Sequence, residues 1–344
     1  MPSWKIENLI LATSPGITDA PRNLRSMSQN ETSKSPNPSP EKNPWLIAAR
    51  PHTLPAAAAP VILGMALAYR DGLFSALAAS FALAGALLIQ IGTNFANDYF
   101  DAKKGVDTDE RDGFTRVTVS GLIAPRTVWW AMVGSFSVAL LSGIPLVYWG
   151  GIPILIIGLT GLLLGYAYAG GPIPFGSIGL GDLMVFLYFG IFAVCGTYYV
   201  QACRWLGGQF PTSIPAGTLH ELVIISSIPP ACLSTAILVV NNLRDLKNDR
   251  SAGKQTLATF IGYTGSRIEY TFLLAIAFGV PPWILYTENV SVWVLLPLAS
   301  FPFSLKIIHT IWKHNRGKYL NPALTNTGRL LFLYCLLLSL GLIL

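Results

Sequence analysis

Apolar residues run through this chain in long blocks separated by short polar segments. From Trp45 onward nine stretches approach or exceed the roughly 20 mostly apolar residues that a bilayer crossing takes. They cover 45–69, 76–98, 127–149, 151–169, 181–202, 221–241, 268–286, 290–309 and 328–344, the last being the shortest. Gly and Pro recur inside them, which membrane helices tolerate better than soluble ones. The pattern predicts an all-α, polytopic membrane protein with nine transmembrane helices over 44–344. Residues 1–43 break it. The run from Ser26 to Pro40 has almost nothing to bury and predicts a disordered tail. The apolar patch Leu9–Ala12 is too short for a signal-peptide core.

Composition narrows the class. Of 344 residues, 52% are hydrophobic and 12% charged, against about 25% charged in soluble domains. The mean hydropathy is +0.52. A disordered chain, a coiled coil and an ordinary cytosolic enzyme are excluded. The four cysteines (Cys195, Cys203, Cys232, Cys335) lack C-x2-C spacing, so neither a disulfide framework nor a zinc site is indicated. The net charge of +6 would suit nucleic acid, but its distribution points to lipid. With the N-terminus in the cytoplasm, 21 of the 23 Lys and Arg residues fall in inside segments, and only Arg70 and Arg204 fall outside. This asymmetry supports nine crossings in the cell inner (cytoplasmic) membrane and accounts for the basic charge without a nucleic-acid partner.

Two inside loops also gather the acid. Asp98, Asp101, Asp107, Asp109, Glu110 and Asp112 follow the second apolar stretch, and Asn241–Asp249 follows the sixth. Asn94, Asn97, Asp98 and Asp101 fall at i, i+3, i+4 and i+7, one helical face; Asn241, Asp245 and Asp249 fall at i, i+4 and i+8, another. Like charges at this spacing destabilise a helix unless a cation sits between them. Oxygen donors of this kind suit Mg²⁺, which takes one or two carboxylates, keeps waters and completes its shell with phosphate. Lys103, Lys104, Arg111, Arg116, Arg244 and Lys254 are placed to contact the phosphate oxygens the metal leaves free.

Asn94-x3-Asp98 matches Asn241-x3-Asp245, which suggests an internal repeat with both metal faces across a central cavity, at the cytoplasmic end. A charge run beside a membrane helix is ordinarily a solvated loop. Two runs on helical faces, both led by Asn and both on one side of the membrane, are hard to produce that way. His52, His220, His309 and His314 are scattered and read as interfacial polar residues; Tyr166 and Tyr168 are candidates for lining the cavity.

Asn97-Asp98-Tyr99-Phe100-Asp101 resembles the first Asp-rich motif of the UbiA superfamily of intramembrane prenyltransferases, and Asp245-Leu246-Lys247-Asn248-Asp249 resembles the second. Trp45–Pro55, Asn94–Asp107, Tyr168–Pro172, Gly179–Asp182 and Asn241–Asp245 are similar to the MenA branch, whose members attach a polyprenyl chain to 1,4-dihydroxy-2-naphthoate. One departure concerns Asp107, which comes two residues later than the superfamily's third Asp.

The resemblance implies Mg²⁺ held by Asn94, Asn97, Asp98, Asp101, Asp107, Asn241, Asp245 and Asp249, with Asp98, Asp101, Asp245 and Asp249 catalytic. It implies a polyprenyl diphosphate donor, whose allylic C–O bond ionises for attack by the naphthoate ring with loss of CO2. Arg50, Tyr168 and Asp182 are candidates for the acceptor. The Asp motifs alone leave other acceptors open, such as 4-hydroxybenzoate or homogentisate, and a phytyl donor. A transporter would place its ionisable residues near the midplane; here nearly all acids lie at helix ends. The single D-G-x2-A-R signature of CDP-alcohol phosphotransferases is absent.

Overall fold

The computed structural model describes residues 43–104, 116–168, 170, 176, 178–205, 207, 210–315 and 317–344, with the side chain of Lys104 outside the description. The tail expected over 1–43 lies almost wholly outside it, as do Asp107 and Arg111. The described residues are helical, with no strand. In chain order they form α1 (Pro44–Ala49), α2 (Leu54–Arg70), α3 (Ala76–Lys104), α4 (Pro125–Ala167), α5 (Gly181–Phe186), α6 (Phe192–Trp205), α7 (Glu221–Ser251), α8 (Leu257–Thr287), α9 (Phe301–Lys313) and α10 (Gly317–Ile343). A 3-10 turn at Pro51–Thr53 joins α1 to α2, a π-turn at Leu187–Ile191 joins α5 to α6, and a 3-10 helix at Val292–Ser300 leads into α9.

Among the described residues eight helical segments are long and apolar enough to cross a membrane. One of them, α4, is two crossings. Gly151 leaves the helical region at φ 63°, ψ −147° and divides α4 into two limbs. A Cβ on Gly165 of the second limb would lie 3.6 Å from Phe136 of the first; in one straight helix these residues would stand roughly 43 Å apart. α4 is therefore a helical hairpin reversing at Gly151, so the described residues carry nine long helical limbs where nine crossings were expected. Ile152 donates to Pro211 O at 2.9 Å and Phe210 to Tyr148 O at 3.2 Å, so the connection between α6 and α7 holds the reversal.

α7 is the most enclosed of the spans and α4 the most open. The main core packs α2, α6, α8 and α10 around α7, through Leu63, Leu67, Leu233, Leu243, Tyr270 and Tyr334. The lipid-facing surface of α4 carries Trp130, Leu141, Ile144 and Leu163. Two boundaries differ from expectation with functional effect. α3 and α7 run on to Lys104 and Ser251, so Asp98, Asp101 and the Asn241–Asp249 cluster lie on helices. α10 begins at Gly317, well before 328, because Leu320, Ala323 and Thr327 are buried against protein, where a helix need not look apolar throughout.

Positive φ at Gly151 generates a prediction. A Cβ there would lie 1.9 Å from Pro211 O, so Gly151→Ala should cost about 1–3 kcal/mol and lower the thermal midpoint in detergent. Gly134→Ala, in open space on the same helix, should leave the midpoint unchanged.

Candidate active site

α2, α3, the α4 hairpin, α5–α6, α7 and α10 enclose a cavity of about 680 Å3. Its inner length is apolar, lined by Ala82, Ile89, Leu155, Leu162, Phe192 and Val200 among others. Its charged groups come chiefly from the C-terminal parts of α3 and α7, which both line it.

α3 divides its polar face into two stripes. Asn97 and Asp101 line the cavity. Asn94 and Asp98 do not, although both were expected as metal ligands and Asp98 as catalytic. Their stripe is turned about 60° away and is consumed by structure. Asn94 donates to Ala49 O and to Thr53 Oγ1, both at 2.9 Å, and accepts from Gln90 at 3.3 Å. Asp98, 1% exposed, accepts the backbone N–H groups of Val117 and Thr118 at 3.1 and 3.2 Å. It fixes the returning chain that presents Arg116. The Asn-x3-Asp pairs that line the cavity are Asn97-x3-Asp101 and Asn241-x3-Asp245.

On α7, Asn241, Asp245 and Asp249 all line the cavity, with Asn242 beside them. Each lining carboxylate meets a cation. Arg116 is bonded to Asp101. Arg244 forks onto Asp245 at 2.9 and 2.7 Å and also reaches Asn241 at 2.9 Å and Asn321 at 3.3 Å. Lys254 sits 3.1 Å from Asp249. Three expected phosphate contacts thus stand at the site, engaged with its carboxylates; the Lys104 side chain and Arg111 lie outside the described residues.

The candidates for the acceptor separate. Arg50 lines the cavity from the break between α1 and α2, held at φ 50°, a left-handed conformation uncommon for a residue with a side chain. Tyr168 lines it from the end of α4. Asp182 is buried in the first turn of α5 and does not line the cavity. Its neighbour Gly181 packs near Tyr168, whose ring stands 3.9 Å from where a Cβ on Gly181 would lie.

His52, Thr53, Gln90 and Asn321 were missed as site residues. His52 and Gln90 line the cavity. The Arg-Pro break was the available signal: it ends α1 and turns the next residues inward.

The donor set fits a hard cation, being oxygen from Asn97, Asp101, Asn241, Asp245 and Asp249. Among the described residues no three carboxylate, His or Cys groups cluster as a complete metal cage.

Residues 57–337 match the UbiA prenyltransferase family. The 1,4-dihydroxy-2-naphthoate octaprenyltransferase of Mycobacterium tuberculosis is 35% identical over 296 residues, 85% of this chain and 94% of its own. The Escherichia coli protein of the same name is 34% identical over 306 residues, 87% of this chain and 95% of its own. A UbiA homolog from Archaeoglobus fulgidus, solved bound to GPP and Mg2+, shares the fold with a TM-score of 0.59 at 18% identity, covering 88% of this chain and 99% of its own. One from Aeropyrum pernix K1 gives 0.61 at 14% identity, covering 82% and 96%.

The two stripes of α3 should separate in stability measurements. Asn94→Ala and Asp98→Ala each strand buried partners and should cost about 1–3 kcal/mol in thermal unfolding. Asn97→Ala should cost less than about 0.5 kcal/mol.

Proposed function

The chain belongs to the UbiA prenyltransferase family, and on that premise we propose that it transfers an all-trans polyprenyl group from polyprenyl diphosphate to 1,4-dihydroxy-2-naphthoate, with loss of diphosphate and CO2, in menaquinone biosynthesis. The observation that carries the reaction class is one cavity with facing Asn-x3-Asp stripes at its mouth and an apolar interior behind them. The acceptor is supported by the relatives named naphthoate octaprenyltransferases.

Asn97, Asp101, Asn241, Asp245 and Asp249 would hold Mg²⁺, which supplies charge neutralisation to the diphosphate leaving group. Arg116, Arg244 and Lys254 exchange part of their bonding from carboxylate to phosphate oxygen as the donor enters. The donor's allylic C–O bond breaks and its electron pair leaves with diphosphate. The ring carbon bearing the carboxylate attacks the allylic carbon, and CO2 departs, its bonding pair restoring the aromatic ring. Arg50 orients the acceptor's carboxylate from the rim. Tyr168 donates its hydroxyl to the anion beside it. The apolar walls keep water from the allylic cation.

The protein spans the membrane many times. The basic residues support placing the N-terminus and the mouth of the cavity on the cytoplasmic side of the inner membrane.

Protein purified in lipid with Mg²⁺, a long polyprenyl diphosphate and an equal mixture of 1,4-dihydroxy-2-naphthoate and 4-hydroxybenzoate should yield the decarboxylated prenyl naphthoquinol by mass spectrometry. Chelation should abolish the product and Mg²⁺ restore it. Asp101→Ala and Asp245→Ala should lower turnover about a hundredfold or more. Prenylated hydroxybenzoate as the main product would overturn the acceptor assignment.

A further inference from the structure

The junction of α5 and α6 departs from regular helix where it faces the cavity. At Leu187–Ile191 the chain winds as a π-turn, with the N–H of Phe192 donating to Leu187 O. Such turns insert one residue, rotate the following side chains by about 100° and cost helix stability, so they persist where the surroundings impose them. Two contacts impose this one. Gly190 packs directly on α7: a Cβ there would lie 2.1 Å from the Ala231 Cβ and 2.6 Å from its nitrogen. The Ser234 hydroxyl, from one turn further along α7, donates to Phe189 O at 3.3 Å.

The turn places aromatic rings on the cavity wall. Tyr188, Phe189 and Phe192 all line it. The Tyr188 and Phe192 rings meet edge to face with centroids 5.0 Å apart. The Tyr188 hydroxyl donates to Thr160 Oγ1 at 2.6 Å, which pins the ring to the second limb of α4. Its depth follows from its neighbour. A Cβ on Gly161 would stand 3.5 Å from Tyr188 Cε1, and Gly161 precedes Tyr168 by about two helical turns, ~10 Å. The ring therefore sits well below the charged mouth, past the reach of a single isoprene unit whose diphosphate is held there.

We infer that Tyr188, backed by Phe192, is a positioning residue that packs against the isoprene units beyond the first and holds the chain extended beneath the mouth. The inference rests on the polyprenyl-transfer reading. Alkene π-bonds and methyl branches present the surface that an aromatic edge and face pack against best. Tyr188 touches no reacting atom; it limits where the allylic carbon can go by limiting the chain behind it.

The test compares donors of different length. Transfer from dimethylallyl diphosphate, which ends above Tyr188, and from all-trans geranylgeranyl diphosphate, which passes it, is measured in lipid with the full chain. Tyr188→Leu should lower the long-to-short ratio of kcat/KM by about tenfold. Tyr188→Phe keeps the ring and should hold the ratio within about twofold of the original. Phe192→Leu, with its fold checked by thermal unfolding, should lower the ratio in the same direction and carries the test if Tyr188→Leu fails to fold. A parallel loss with both donors, or an unchanged ratio in both leucine variants, overturns the inference. Thermal stabilisation by the unreactive S-thiolodiphosphates of the same two chains reads the ratio without turnover. Failure of the transfer reading would leave this binding difference in place; failure of the positioning role would remove it.

Discussion

A bare charge against hydrocarbon is among the most expensive arrangements open to a membrane protein. Here the carboxylates lining the cavity come from α3 and α7, which run past their apolar stretches, and each meets a cation: Asp101 with Arg116, Asp245 with Arg244, Asp249 with Lys254. Buried pairs repay their desolvation only when both partners stay engaged, and removing one leaves the other stranded. An anionic substrate bringing divalent cations can exchange partners with these pairs without leaving a charge uncompensated. Arg244 is multiply bonded, reaching Asp245, Asn241 and Asn321. It ties α7 to α10 and so joins the chemistry of the mouth to the wall of the bundle.

The same economy explains the break near the N-terminus. A left-handed residue at Arg50 interrupts the helix before Pro51 and leaves helix-end carbonyls short of regular partners. Asn94 answers by donating to Ala49 O, and the Thr53 hydroxyl by donating to Arg50 O. α3 therefore serves two ends. One stripe, Asn94 and Asp98, secures the chain segments that carry Arg50 and Arg116; the neighbouring stripe, Asn97 and Asp101, faces the cavity those arginines border.

This division is where reading the sequence stopped. Hydropathy located all nine limbs, including the pair around Gly151, because span length and loop charge are properties of the chain alone. The Asn-x3-Asp spacing located both acid faces for the same reason. Periodicity does not say which neighbour packs on which stripe. Asn94 and Asp98 therefore look equivalent to Asn97 and Asp101, although only the second pair lines the cavity. His52 was indistinguishable from the other scattered histidines until the turn after Arg50 brought it to the cavity. Asp182 matched a motif well yet does not line the cavity, since a motif fixes neighbours in sequence and not lines of approach.

The cavity's outer wall constrains how a long donor is recognised. Leu140, Ile144 and Leu159 of α4 line the cavity and are also exposed on the surface at 49%, 59% and 44%. A polyprenyl tail moving from bilayer to cavity exchanges one apolar environment for another, and the hydrophobic effect that would drive it from water contributes almost nothing. Affinity must come from the diphosphate end, where the cations and the oxygen donors are. Selectivity among tails must come from shape. A wall of glycine, alanine and leucine gives the chain room, and only ordered features, such as the pinned aromatic pair at the π-turn, decide which path it takes to the mouth.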